Sequence, residues 1–78
     1  MIKVKLYGIL KKYMPETDED GFWCVEQDGL TVSQILDLAN VPQEERRATY
    51  LVNKMRKDEQ FVLHSGESVQ VMPLIAGG

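Results

Sequence analysis

The clearest local signal in this 78-residue chain is Leu30-Thr31-Val32-Ser33-Gln34-Ile35. Thr31 can accept a hydrogen bond from the amide of Gln34, and the Gln34 side chain can reach back to the amide of Thr31. Leu30 and Ile35 occupy the two positions of a hydrophobic staple. The pattern predicts a helix beginning at Val32, with Ile35, Leu36, Leu38 and Ala39 on its apolar side. It should stop near Asn40, ahead of Pro42. A helix of about two turns is marginal by itself. It must therefore be held against something larger, and the rest of the chain reads as strands.

Ile2-Lys3-Val4-Lys5-Leu6-Tyr7 alternates with period two, which puts Ile2, Val4 and Leu6 on the core face and Lys3, Lys5 and Tyr7 on the other. Gly8 and Ile9 to Met14 lead to Pro15 and a polar loop, in which Asp18-Glu19-Asp20 reads as a solvated tip. Gly21 to Gln27 is rich in aromatic and β-branched residues and should be the second strand. Phe22 and Cys24 share one of its faces, Trp23 and Val25 the other, and the pattern leaves the inward face open. Asp28-Gly29 makes a turn. After the helix, Pro42 to Arg47 reads as a polar connection with room for one helical turn; its Arg46-Arg47 pair offers an anion site in principle, but flanked by Glu44 and Glu45 it reads as exposed and self-neutralised. Thr49 to Val52 is the third strand, with Asn53-Lys54 a turn. Lys57 to His64 reads as an irregular crossover anchored by Phe61 and Leu63. Ser65-Gly66-Glu67 turns into the last strand, Ser68 to Pro73, with Val69 and Val71 inward. The expected core is Ile2, Val4, Leu6, Ile35, Leu38, Val52, Val69 and Val71.

The result is an α+β domain over residues 1–73, a mixed sheet of four to five strands with one main helix across it. Residues 74–78 are expected to be a flexible tail.

The available chemistry is sparse. A net charge of −3 argues against nucleic-acid binding and suits a protein that meets a basic surface on a partner. The single cysteine, Cys24, excludes an intramolecular disulfide, a cysteine zinc site and a four-cysteine cluster. No targeting or membrane-spanning segment is legible, so a cytoplasmic location is expected. His64 beside Ser65-Gly66 reads as a surface turn residue, and Cys24 as core filler with no positive sequence neighbour to activate it. There is no GxGxxG and no phosphate-binding loop. No enzyme activity, bound cofactor or metal site is expected.

What remains is the end of the chain, Val69-Gln70-Val71-Met72-Pro73-Leu74-Ile75-Ala76-Gly77-Gly78. Two residues without Cβ atoms can thread a channel too narrow for any other pair, and they carry an α-carboxylate that a partner could activate. The stretch from Ser65 to Gly78 resembles the ending of the MoaD/ThiS sulfur-carrier family: a turn with Gly and an acidic residue, an alternating strand, a proline and Gly-Gly. Met1 to Lys12, the Thr31-Val32 helix entry and Val52-Asn53 also resemble that family, in matching order.

The resemblance implies a ubiquitin-like β-grasp fold and a function as carrier rather than enzyme. A ubiquitin-activating-type enzyme would adenylate the Gly78 carboxylate with ATP, a persulfide donor would supply sulfur, and the Gly78 thiocarboxylate would serve a sulfur-accepting biosynthetic enzyme. Gly77 and Gly78 would be the reacting end. Tyr7, Met72, Pro73, Leu74, Ile75 and Ala76 would contact partners, with Met72 where the family has an aromatic contact residue. The proline before the last five residues leans toward the molybdopterin-synthase small subunit, whose acceptor is the large subunit of that enzyme. Leu74 stands where many such tails have a second proline. A tungsten-type pterin, thiamine or thiolated tRNA product stays open, as does a ubiquitin-like modifier joined to target lysines through Gly78. So does a plain β-grasp binding module.

Overall fold

A computed structural model describes residues 1–74. Seven strands run in chain order: β1 (Ile2–Leu6), β2 (Trp23–Val25), β3 (Leu30–Thr31), β4 (Ala48–Val52), β5 (Met55–Lys57), β6 (Val62–Leu63) and β7 (Ser68–Pro73). One α-helix, α1 (Val32–Leu38), lies between β3 and β4, and 3-10 turns span Gly8–Tyr13 and Gln43–Glu45. Five strands form a mixed sheet in the order β2-β1-β7-β4-β5, while β3 and β6 make a separate two-stranded ribbon. The central pair, β1 and β7, is parallel, and the other pairings of the main sheet are antiparallel. The architecture is α+β and compatible with a β-grasp.

The helix entry forms as the sequence predicts. The Gln34 amide donates to Thr31 Oγ1 at 3.1 Å and the Thr31 amide donates to Gln34 Oε1 at 2.9 Å, completing both halves of the capping box. Asn40, at φ 62°, ends the helical path in the left-handed conformation that asparagine tolerates better than most residues.

Ile2, Val4, Leu6, Val52, Val69 and Val71 are buried in one cluster with Ile35 and Leu36 of α1. Leu38 is the exception to the expected core, being 47% exposed. Val32, Ile35, Leu36 and Ala39 fall at i, i+3, i+4 and i+7 and are all buried, whereas Leu38 at i+6 lies off that stripe. The open question in β2 is resolved by pairing. Trp23 sits opposite Val4 and Val25 opposite Ile2, so both face the core and Cys24 faces away. Cys24 is thus half-exposed on the outer surface of the sheet and is not core filler.

Two further sequence expectations are corrected. The segment after the Asn53-Lys54 turn forms a strand, β5, paired with β4, and Val62-Leu63 joins the small ribbon. Arg46 is neither exposed nor neutralised by its neighbouring glutamates. Its side chain is 6% exposed and its guanidinium donates to Asp37 Oδ1 at 2.6 Å and to the Val41 carbonyl at 2.7 and 2.9 Å. It thereby ties the strand entry to the loop that ends α1. Glu45 accepts instead from the Tyr13 hydroxyl, at 2.5 Å.

Candidate functional site

The site is built around the end of β7, where the chain leaves the domain. β7 lies between β1 and β4 in the middle of the sheet, so its course is fixed from both sides. Leu6 pairs with Val71 and Ala48 with Pro73. Beyond the last regular pair, the Tyr7 amide donates to the Val71 carbonyl at 3.0 Å and the Leu74 amide to the Arg47 carbonyl at 3.0 Å. These bonds hold the backbone up to Leu74, the last described residue.

Sterics close the other side. Gly8 adopts φ +58°, and a Cβ built there would lie 3.0 Å from Pro73 Cγ. The 3-10 turn that starts at Gly8 therefore packs against the Pro73 ring only because residue 8 has no side chain. Leu74 is held by Arg47 on one flank, and Pro73 packs on Gly8 on the other. Gly8 is not among the sequence-derived site candidates, and Arg47 enters there only as half of an anion site set aside as self-neutralised. The signal for Gly8 is a glycine directly after a strand. Arg47 becomes a neighbour only once β4 is known to lie antiparallel to β7.

Of the predicted contact residues, Tyr7 and Met72 come together as expected. Val69 and Val71 are buried, so Ser68, Gln70 and Met72 point to the opposite face, as does Tyr7 beyond buried Leu6. Both Tyr7 and Met72 are half-buried. Thr49 pairs with Met72, and Leu51 with Gln70, extending a largely uncharged centre across the sheet. The helix covers the other face, where the core lies. Pro73 is half-buried and Leu74 is exposed, at 57%. Ile75, Ala76, Gly77 and Gly78 lie outside the described residues.

Groups away from the tail serve the loops. Asp18 Oδ1 accepts from the amides of Asp20 and Phe22, each at 2.9 Å, and Asp18 pairs with Lys3 at 3.7 Å, so the acidic loop is more than a solvated tip. The Phe22 amide, with those other donors, holds the Asp18 carboxyl below its ordinary range. Cys24 Sγ lies 3.7 Å from Asp18 Oδ2. Desolvation pushes its thiol up, and the Asp18 charge adds to this, so the thiolate is disfavoured. His64 is exposed in a turn, with Nδ1 3.3 Å from Asp28 Oδ1. Among the described residues no group of three or more His, Cys, Asp or Glu side chains could hold a metal ion. No helix there is long and apolar enough to cross a membrane.

No protein-family model and no curated protein matches the chain. Among solved structures, the chain is similar to the solution structure of the Haloferax volcanii HVO 2177 protein, with 17% identity and a TM-score of 0.62. The likeness covers 99% of this chain and 85% of that one. At this identity it speaks for the fold.

Proposed function

We propose that the protein is a sulfur carrier of the MoaD/ThiS kind, acting through the α-carboxylate of Gly78. The observation that carries the reading is the root of the tail. The last strand runs between two neighbours, is bonded as far as Leu74, and leaves the sheet next to the outward-facing Tyr7 and Met72. Such an arrangement suits a chain end that is delivered into a partner's closed site while the sheet face docks outside it.

The chemistry divides accordingly. A carboxylate is a poor electrophile because its leaving group would be oxide. In the proposed first step, a Gly78 carboxylate oxygen attacks the α-phosphorus of ATP in the activating enzyme and pyrophosphate leaves. The terminal sulfur of a persulfide then attacks the acyl carbon and AMP departs. A thiol of the partner then attacks the donor's own sulfur in the resulting acyl disulfide, forming a new disulfide with the donor and releasing the thiocarboxylate on Gly78. The partners supply nucleotide, persulfide and catalysis, while this chain supplies reach and docking. The acceptor we favour is a pterin-processing enzyme such as the molybdopterin synthase large subunit.

The test is ATP–pyrophosphate exchange with the adenylating enzyme from the same cells, read alongside binding. Removing Gly78 retracts the reacting group by about 3.5 Å, enough to forfeit most of the advantage of positioning. Exchange should fall to background while binding survives. Met72→Asp should do the reverse, weakening binding because an unpaired charge must be desolvated against the partner. Exchange at the wild-type rate without Gly78 would overturn the carrier reading in favour of a plain binding module.

A further inference from the structure

The chain is acidic overall, yet the surface beside the tail root is not. Arg47 precedes β4 and sits across from Leu74, whose amide it binds through its carbonyl. Arg56 lies in the edge strand β5, opposite the outward-facing Leu51. Both arginines are exposed, and both line an open groove of about 620 Å³ that Leu74 also borders. Among the described residues neither is in an ion pair.

Arg46, Lys57, Asp58 and Glu59 also line that groove. Arg46 is held by Asp37. Lys57 Nζ lies 5.1 Å from the centre of the Phe61 ring. Asp58 caps its own turn by accepting from the Gln60 amide at 2.9 Å. The Glu59 carbonyl accepts from the Ser33 amide at 2.9 Å, and Glu59 lines the groove as Asp58 does, so four cationic residues there face two acidic ones. Toward the β2 edge of the same face, Lys3 is paired with Asp18, while Lys5 contacts the Asp20 carbonyl and is in no ion pair among the described residues. Arg47 and Arg56 place two unpaired cations at one corner, beside Leu74.

We propose that Arg47 and Arg56 receive an acidic segment of the partner protein, so that the docking face has an apolar centre at Tyr7 and Met72 and an electrostatic corner at the two arginines. The inference rests on the carrier reading for the identity of the partner. It reverses the expectation from net charge, since the complementary surface it calls for is acidic. Distance selects carboxylates over the reacting nucleotide as the occupant. Gly78 is four residues beyond Leu74, and a fully extended chain of that length spans about 14 Å. With the tail extended into a partner, as the carrier reading requires, an anion seated between the arginines is a different group from the phosphate that meets the Gly78 carboxylate. Two guanidiniums also suit the bidentate geometry of carboxylate side chains. Their charge would raise the rate of encounter more than the final affinity.

The probe is a short acetylated oligoglutamate peptide, titrated into the isotope-labelled protein and followed by amide chemical shifts. The shifts should centre on Arg47, Ala48, Arg56, Lys57 and Leu74, and should fade in high salt. Replacing both arginines, R47Q with R56Q, should weaken binding about fivefold, the scale of removing two exposed charge pairs. Lys12→Gln, which removes a cation that pairs with Glu45 elsewhere, should leave it unchanged. The proposal is overturned if no amide shifts, if the strongest shifts fall at Lys3 and Lys5, or if the double variant binds as the parent does. It is also overturned if inorganic phosphate at equal charge concentration gives the same set of shifts, which would mark a general anion patch. None of these outcomes involves Gly78, so they are separable from failure of the carrier chemistry.

Discussion

Gly8 carries more of the site than its size suggests. Its φ of +58° is a conformation that costs a residue with a Cβ about 1–2 kcal/mol, and the added atom would also press on Pro73 Cγ at 3.0 Å. Gly8→Ala should destabilise the domain by at least that amount in chemical denaturation and should shift the amide of Leu74 more than any amide of α1. An alanine variant of unchanged stability would mean that the close approach is not required. A second residue, Asp28, ties the start of β3 to the end of β6 at one end of the ribbon. Its Oδ1 accepts from the amides of Ser65 at 2.9 Å and Gly29 at 2.8 Å and lies near His64. The Ser65 amide is the largest cause of its lowered pKa. Because the folded value lies below the unfolded one, the stabilisation is complete above the ordinary aspartate pKa of about 3.9. It is lost as pH falls through the lower folded value. Asp28→Asn should flatten the acid limb of thermal stability in that window. A limb as steep as the parent's would show that Asp28 does not supply it.

At the scale of elements, legibility followed how much repeating pattern each segment contains. β1 and β7 have several alternating residues apiece, so their inward faces were readable. α1 has a capping box that fixes its first residue. Its exposed face was misjudged because Leu36 and Leu38 are chemically alike and only the helical phase separates them. β3, β5 and β6 are two or three residues long, too short for a period to register, and their existence depends on partners distant in sequence. The same holds for Arg46, whose burial comes from carbonyls at the end of α1. The phase correction is testable. Ile35→Ala should cost about 2–5 kcal/mol, whereas Leu38→Ala should stay within about 0.5 kcal/mol. Thr31→Ala should cost about 0.5–2 kcal/mol by removing the cap. Equal losses at positions 35 and 38, measured by denaturant titration, would contradict the packing described for α1.

In the molecule as a whole, one face of the sheet is covered by α1 and holds the core, and the other is left with Tyr7, Met72, Leu51 and the arginine corner beside the root of the tail. The outward direction of Tyr7 and Met72 is legible in the sequence because strand parity alone decides which way they point. The roles of Gly8, Arg47 and Arg56 are not, because they arise from β7 lying between β1 and β4. The function proposed for this arrangement has a covalent signature that does not depend on identifying a partner. The most direct measurement is the intact mass of the protein purified without reductant exchange from the cells that make it, with fragmentation to locate the change. The account predicts a species with one oxygen replaced by sulfur, localised to Gly78. Higher-mass conjugates through Gly78 would instead mark a protein modifier. An unmodified carboxylate as the sole species, in cells actively making thiolated or pterin products, would contradict the carrier function.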